Sequence, residues 1–165
     1  MSHTTASPHH RPRRSIILSL LGVFVLCAVG FGVYQALPGG PEVRPARRGD
    51  SAACAAVGRH WPASVGGMER IDLPDDPAGA VGWGDPTIIA RCGMDSPSPT
   101  TDECIDANGI GWVARPLPDG MAFVSYGRDP AIEVLVPRQY SPEPLILGAF
   151  ADAARALPDT GHHCR

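Results

Sequence analysis

The sequence lacks the short motifs by which several enzyme classes are recognised. It contains no GxSxG nucleophile elbow, no phosphate-binding glycine loop and no HExxH metal motif. Because catalytic triads are defined by geometry rather than by spacing, these absences weaken the case for an enzyme without excluding one. We therefore expect no cofactor, and we leave enzymatic activity open while favouring a non-catalytic role.

The chain also lacks lysine and, beyond residue 37, any excess of positive charge. All 14 basic residues are arginine. Residues 1–37 hold three arginines and no acidic residue, so residues 38–165 hold 11 arginines against 17 acidic residues, a net charge of −6. A domain of that charge would repel a phosphate backbone, and we expect no nucleic-acid partner.

A long uncharged run stands near the N-terminus. Residues 15–37, SIILSLLGVFVLCAVGFGVYQAL, contain no charged residue and are long enough to cross a hydrocarbon core of about 30 Å as a helix. Three arginines in the preceding tail, residues 1–14, favour its retention in the cytoplasm. These features predict a single-pass signal anchor at the cell membrane with the C-terminal domain outside. The alternative is a signal peptide cleaved near Gly30, which would release the domain.

Four cysteines lie beyond this run, and none belongs to a CxxC pair. An even number behind a membrane segment predicts two disulfides in an oxidising compartment. Three pairings are possible, and the sequence alone does not choose. We favour Cys92–Cys104, a loop of about 13 residues, with Cys54–Cys164 tying the two ends of the domain. The rival is a zinc site at His162-His163-Cys164 with His60, but the spacing does not suit zinc and we expect no metal.

The composition of the remaining chain, and the positions of its proline and glycine residues, predict a linker followed by one domain. Apolar residues make up 44% of the sequence, enough for a packed core. Residues 38–50 are rich in proline, glycine and arginine, which is typical of a semi-extended linker. In the domain, residues 51–165, we expect a short helix capped by Ser51 at the start. An amphipathic helix with Pro144 in its first turn is expected near the end.

Between these two helices the sequence predicts strands. Asn108-Gly109 is a type I′ hairpin signal, and Pro118-Asp119-Gly120 marks a second turn. Strands are expected on both sides of these turns and at residues 87–92 and 131–136, while residues 70–73 are compatible with a short strand in an otherwise loop-like stretch. The expected fold class is α+β: a small antiparallel sheet of four or five short strands with an N-terminal and a C-terminal helix, plus one N-terminal transmembrane helix.

Arginine and aspartate recur together beside proline turns. Asp85 stands near Arg91, and Arg128 precedes Asp129. A guanidinium oriented by a carboxylate is suited to an anionic ligand such as a carboxylate or a phosphate. The alternative interpretation is that these residues form structural ion pairs and turns, with Trp83 as a core aromatic. Trp83, Asp85, Arg91, Arg128 and Asp129 are therefore a speculative ligand-binding set.

An ordered set of segments resembles a known family. The segments are Cys54, WGDPTIIARCG (83–93), Cys104, NGIGWV (108–113), SYGRDPAIEVLVP (125–137) and the terminal HC (163–164). Together they resemble an uncharacterised actinobacterial family, the domain of unknown function 3515, over about residues 51–165. The resemblance implies a small exported or membrane-tethered protein of the actinobacterial cell envelope. The resemblance assigns no catalytic residue to this sequence, because no activity is established for the family.

Two functional hypotheses follow. The first is a membrane-anchored extracytoplasmic domain of the cell envelope, non-catalytic, that binds or assists an envelope protein or an envelope precursor. The second is a hydrolase or transferase acting on envelope material, with Asp85, Arg91, Arg128 and Asp129 lining its site. If these arginines matter only for folding, their substitution should lower thermal stability; a site role predicts lost function with stability unchanged.

Overall fold

The computed structural model describes residues 42–164. The predicted cytoplasmic tail (residues 1–14), the predicted transmembrane anchor (residues 15–37) and the start of the predicted linker (residues 38–50) lie outside the described residues. Within residues 42–164, no helix combines the length and the apolar character that crossing a membrane requires.

The described residues form one antiparallel sheet of eight strands. The strands are β1 (Ser64–Val65), β2 (Met68–Ile71), β3 (Ala80–Trp83), β4 (Ile88–Met94), β5 (Cys104–Ala107), β6 (Ile110–Leu117), β7 (Gly120–Tyr126) and β8 (Ala131–Pro137). Their order across the sheet is β1-β2-β3-β4-β8-β7-β6-β5. Two runs of consecutive strands, β1 to β4 and β5 to β8, therefore join where β4 pairs with β8. Residues 95–103, which we call the crossover loop, carry the chain from β4 to the far edge.

The prediction of four or five strands was wrong, because the sheet of residues 42–164 has eight. Two strands had no sequence signal. β1 has only two residues, and β3 has the sequence AVGW, in which a glycine interrupts the apolar run. A Cβ atom at Gly82 would lie 2.7 Å from the side chain of Leu73, so the glycine leaves room for that side chain. Tertiary contact, rather than local preference, makes this segment a strand.

Two short α-helices accompany the sheet in the described part of the chain. Helix α1 (Ala52–Val57) is followed by a 3₁₀ turn (Gly58–His60), and the hydroxyl of Ser51 accepts a hydrogen bond from the backbone N–H of Cys54, as a cap should. Near the C-terminus the chain forms a 3₁₀ helix (Glu143–Phe150) and then α2 (Ala151–Arg155). The predicted amphipathic helix is mostly 3₁₀: Pro144, in the first turn, is compatible with either kind of helix, whereas Gly148 disfavours a continuous α-helix.

Both helical segments pack on one face of the sheet, which we call the core face. Side chains alternate along each strand, so Ile88, Ala90 and Cys92 of β4 point to this face. Trp83 is fully buried there, with its ring edge-on to Phe150 at 5.3 Å and to Trp61 at 6.4 Å between centroids. Burial of these rings against the sheet supplies much of the hydrophobic stabilisation of the domain.

The opposite face, which we call the outer face, carries an ion pair and is covered by irregular chain. Arg91 of β4 faces its register partner Glu133 of β8, with Nε 2.6 Å from Oε2. Arg91 also donates from Nη1 to the carbonyl oxygen of Arg44, at 2.9 Å. The N–H of Arg48 donates to the carbonyl oxygen of Gly93, at 3.1 Å. The described part of the predicted linker is therefore hydrogen-bonded to the domain.

Residues 42–164 contain two disulfides, as expected, but the cysteines are paired differently from the prediction, which was wrong. Cys54 pairs with Cys92 and Cys104 with Cys164, with Cα–Cα distances of 5.5 and 5.6 Å. The bond Cys92–Cys104 is impossible here because β8, β7 and β6 lie between β4 and β5, a separation of about 19 Å at ordinary strand spacing. A disulfide requires Cα atoms within about 7 Å. Strand order, which sequence spacing does not reveal, therefore decides the pairing.

Candidate functional site

Two of the five predicted ligand-binding residues have structural roles. Trp83 is fully buried, and its indole N–H donates to the carbonyl oxygen of Pro62 at 3.0 Å. Arg91 is held between Glu133 and the backbone of Arg44. The indole N–H of Trp83 and two nitrogens of the Arg91 guanidinium thus have partners within the fold, which favours the structural interpretation for both.

The two aspartates of the predicted set lie at opposite ends of the sheet. Asp85 stands in the turn before β4, while Asp129 stands just before β8. Because β4 and β8 run antiparallel, about 20 Å of strand separates these turns. Near Asp85, the hydroxyl of Tyr140 donates to the carbonyl oxygen of Pro86 at 2.7 Å. Burial, and then the charge of Asp85, raise the pKa of Tyr140 above its ordinary value.

Arg128 and Asp129 are adjacent but have different partners. Arg128 donates from Nη1 to the carbonyl oxygen of Leu157 at 3.3 Å, and its Nη2 lies 3.3 Å from a carboxylate oxygen of Asp159. Asp129 instead accepts from Nη2 of Arg48 at 2.5 Å. Arg128 thus anchors the last residues of the chain, and Asp129 anchors the segment before α1. The structure does not bring the five predicted residues together.

A cleft that sequence analysis did not predict lies on the outer face. It separates the crossover loop from residues 158–164, which we call the C-terminal tail. We name this cavity of about 670 Å³ the terminal cleft. Its lining is largely polar and consists of Pro99, Thr100, Thr101, Asp102, Glu103, Cys104, Val113, Tyr126, Gly161, His162, His163 and Cys164.

A second, more strongly charged pocket adjoins the terminal cleft. It measures about 470 Å³ and shares Pro99 and His162 with the cleft. Arg47 pairs with Asp95 in its wall, and Arg48 pairs with Asp129. The hydrogen bond from Arg48 lowers the pKa of the Asp129 carboxyl, and the same bond raises the pKa of Arg48. Since both arginines are already paired, this pocket offers an anion little uncompensated charge.

The C-terminal tail is held against the sheet at several points. The N–H of Thr160 donates to the carbonyl oxygen of Gly127 at 2.9 Å, and the N–H of Asp129 donates to that of Pro158 at 3.2 Å. The ring of His162 stacks on Tyr126 of β7, with centroids 5.8 Å apart and planes inclined by 26°. The disulfide Cys104–Cys164 then joins the tail to β5. These contacts make the tail a wall of the terminal cleft.

Two glycines make room for this tail. A Cβ atom at Gly127, whose φ is +78°, would overlap the carbonyl oxygen of His162. A Cβ atom at Gly111 would lie 2.7 Å from Sγ of Cys164. The glycines within NGIGWV and SYGRDP therefore admit the tail and its disulfide. They were the sequence signal for the cleft, since a glycine inside or just after a strand often marks a close approach of backbone.

The terminal cleft is suited to hydrogen bonding with a polar ligand. Its side chains offer hydroxyl, carboxylate and imidazole groups beside a stacked aromatic pair. Asp102 is paired with Arg115 at 3.4 Å, whereas Glu103 has no salt bridge within the described part of the chain. Among residues 42–164, no three histidine, cysteine or acidic side chains cluster closely enough to hold a metal ion.

The fold and the site together define a class of protein: a disulfide-bonded domain with one antiparallel sheet and a polar cleft, one wall of which is the C-terminal tail of the domain. Residues 16–160 match the model of a family described as "Protein of unknown function (DUF3515)", and the chain belongs to this family. The matched range includes nearly all of the uncharged run 15–37 as well as the sheet. Comparison with curated proteins and comparison with solved structures found no match.

Proposed function

We propose that this protein is a membrane-anchored, extracytoplasmic binding or accessory domain of the cell envelope that holds a polar ligand in the terminal cleft without transforming it. The observation that carries the proposal is a preformed polar cavity of about 670 Å³ whose two walls are fastened by a disulfide. Rigid walls reduce the entropy that binding must overcome.

The proposed compartment is supported by cysteine chemistry and by the N-terminal sequence. Two disulfides within residues 42–164 favour an oxidising environment outside the cytoplasm. The uncharged run 15–37, preceded by three arginines, supports an anchor with its N-terminus in the cytoplasm. A domain so placed would face envelope proteins and envelope precursors.

Binding is favoured over the hydrolase or transferase hypothesis by the placement of the residues that hypothesis needs. Asp85 lies about 20 Å of strand away from Asp129, Arg91 is neutralised by Glu133, and Arg128 is directed to the C-terminal tail. An acid–base pair must lie within reach of the same substrate atom, so these four residues do not form one site.

The ligand class that fits the terminal cleft best is the hydroxyl-rich saccharide part of an envelope precursor. The carboxylate of Glu103 and the hydroxyls of Thr100 and Thr101 can accept hydrogen bonds from sugar hydroxyls. The stacked pair Tyr126–His162 offers an amphipathic surface to the apolar face of a sugar ring. A phosphate fits less well because the neighbouring arginines are paired with carboxylates.

The proposal is tested by titrating the full chain, in a mild detergent, with a soluble disaccharide-peptide fraction of digested cell wall. We expect saturable binding by calorimetry. His162→Ala should weaken it about fivefold, because it removes half of the stacked pair. Gln139→Ala is the matched control, since Gln139 is exposed at the other end of the sheet beside Asp85. Absence of binding, or equal binding by both variants, would contradict the proposal.

A further inference from the structure

The two disulfides of the described chain have very different surroundings. Cys54 is 2% exposed and Cys92 is fully buried, both within the core between α1 and β4. Cys104 and Cys164 are only half-buried, and both line the terminal cleft. One disulfide is therefore sealed by packing, whereas the other borders a cavity large enough to admit a small thiol.

The two bonds also differ in what they connect. Cys54–Cys92 joins a helix to a central strand, so its sulfur atoms are shielded by the folded core. Cys104–Cys164 joins the edge strand β5 to the irregular end of the tail. If the latter bond opens, residues 158 and 159 stay attached through the hydrogen bond from Asp129 to Pro158 and the ion pair of Asp159 with Arg128, whereas the hydrogen bond from Thr160 to Gly127 becomes the fraying end of the attached segment. Only residues 161–164 lose their attachment to the sheet edge.

We infer that Cys104–Cys164 is a site of thiol–disulfide exchange, open to a dithiol through the terminal cleft, and that its reduction detaches residues 161–164, which form part of the cleft wall, from β5. The natural partner would be an extracytoplasmic dithiol oxidoreductase. This inference goes beyond ligand binding: it rests on burial and connectivity, and it holds whatever the cleft binds.

The exchange balances with a dithiol as the reductant. A thiolate of the dithiol attacks one sulfur of Cys104–Cys164, forms a mixed disulfide with it and displaces the other as a thiolate. The second thiol of the reductant, as a thiolate, then attacks the reductant's sulfur in the mixed disulfide, which closes the reductant's own disulfide and displaces the protein sulfur as a second thiolate. The protein gains two electrons and two protons as two thiols, and the dithiol loses them.

The position of the bond depends on Gly111. Because Gly111 has no side chain, Sγ of Cys164 can lie directly over β6, with Sγ of Cys104 close by. The bond consequently borders the cleft rather than lying beneath a side chain. Access for an attacking thiolate controls the rate of exchange, as does the fraction of thiolate in the attacker.

The inference is tested on the full chain in a mild detergent, without denaturant. Pre-existing thiols, including any at Cys27, are first blocked with N-ethylmaleimide. Excess N-ethylmaleimide is removed, limiting dithiothreitol is added at neutral pH, samples are quenched at intervals with excess iodoacetamide, and the labelled peptides are followed by mass spectrometry. We expect labels at Cys104 and Cys164 to appear about tenfold faster or more than at Cys54 and Cys92, because the buried pair must first be exposed by unfolding. Equal rates, or faster labelling of Cys54 and Cys92, would overturn the inference.

Hydrogen exchange distinguishes release of the tail from general unfolding. After partial reduction, the amide of Thr160 should exchange faster, since its anchor lies next to the released residues. The amide of Cys92, which donates to the carbonyl oxygen of Gly79 at 2.9 Å, serves as the control and should not change. Faster exchange at both amides, or at neither, would overturn release of the tail. Neither experiment uses a saccharide, so failure of the proposed binding function would leave both results intact.

Discussion

The two faces of the sheet differ in the polarity of the side chains that they carry. On the core face, large apolar rings such as Trp83 and Phe150 pack edge to face beneath the helical segments. On the outer face, an ion pair between Arg91 and Glu133 lies under irregular chain, and a polar cleft opens beside the C-terminal tail. The difference teaches that the apolar packing and the polar cleft lie on opposite faces of one sheet. Substitutions on the two faces should therefore differ in what they change.

The largest effect is expected on the core face. Phe150 is fully buried against Trp83, so Phe150→Ala should lower the free energy of unfolding by about 3–5 kcal/mol through lost burial and a cavity. His162→Ala, on the outer face, should cost about 1 kcal/mol or less. Denaturant unfolding of both variants followed by tryptophan fluorescence makes the comparison. Equal losses would show that the tail, and not only the core face, carries the stability of the domain.

An intermediate effect is expected from the ion pair of the outer face. Arg91→Met would leave Glu133, with a side chain only 12% exposed, without its partner. Removing one member of a largely buried pair costs about 3 kcal/mol, whereas replacing both by apolar residues is close to neutral. The double variant Arg91→Met, Glu133→Leu should thus recover most of the thermal stability lost by Arg91→Met. A double variant no more stable than Arg91→Met alone would show that Arg91 does not act chiefly as the charge partner of Glu133.

The sequence correctly predicted those elements that are determined by a few residues close together in the chain. Asn108 and Gly109 have φ values of +54° and +77°, as the predicted type I′ turn demands, and the hairpin of β5 and β6 follows from them. The Ser51 cap likewise involves residues three apart. Both features depend on a few neighbouring residues, whose identity is visible in the sequence.

Features that depend on strand order were not predictable in the same way. The pairing of Cys92 depends on where β5 lies in the sheet, and the crossover loop places it beyond three intervening strands. The terminal cleft arises because the tail and the crossover loop meet on the outer face, far apart in sequence. Gly111 and Gly127 signalled close approaches, but the sequence did not say which segment approaches. Arg128 was selected for its chemistry, although its partners are the carbonyl oxygen of Leu157 and the carboxylate of Asp159, at the start of the tail.

The smallest effect is expected from pH. The hydrogen bond from Arg48 lowers the pKa of Asp129, so ionised Asp129 stabilises the fold above the pKa of the unfolded chain. This contribution is lost as the pH falls through the lowered folded-state pKa. Because the Arg48 and Asp129 side chains are 34% and 48% exposed, solvent screening limits it to about 0.5 kcal/mol.

Thermal unfolding of Asp129→Asn and of the unchanged chain measures this contribution. At about pH 7 the variant should unfold at a slightly lower temperature, and at about pH 2 the difference should vanish. A difference that persists at the lower pH would mean that Asp129 acts through something other than its charge.

The most direct measurement is a disulfide map of the full chain isolated from its native host without reductant. Cleavage at arginine combined with cleavage before aspartate separates all four cysteines, because Asp95 and Asp102 lie between Cys92 and Cys104. We predict two linked peptide pairs, Cys54 with Cys92 and Cys104 with Cys164, as expected for an oxidised extracytoplasmic domain with a cleft walled by its tail. Four free thiols would contradict the proposed compartment, and a peptide linking Cys92 to Cys104 would contradict the strand order and the cleft.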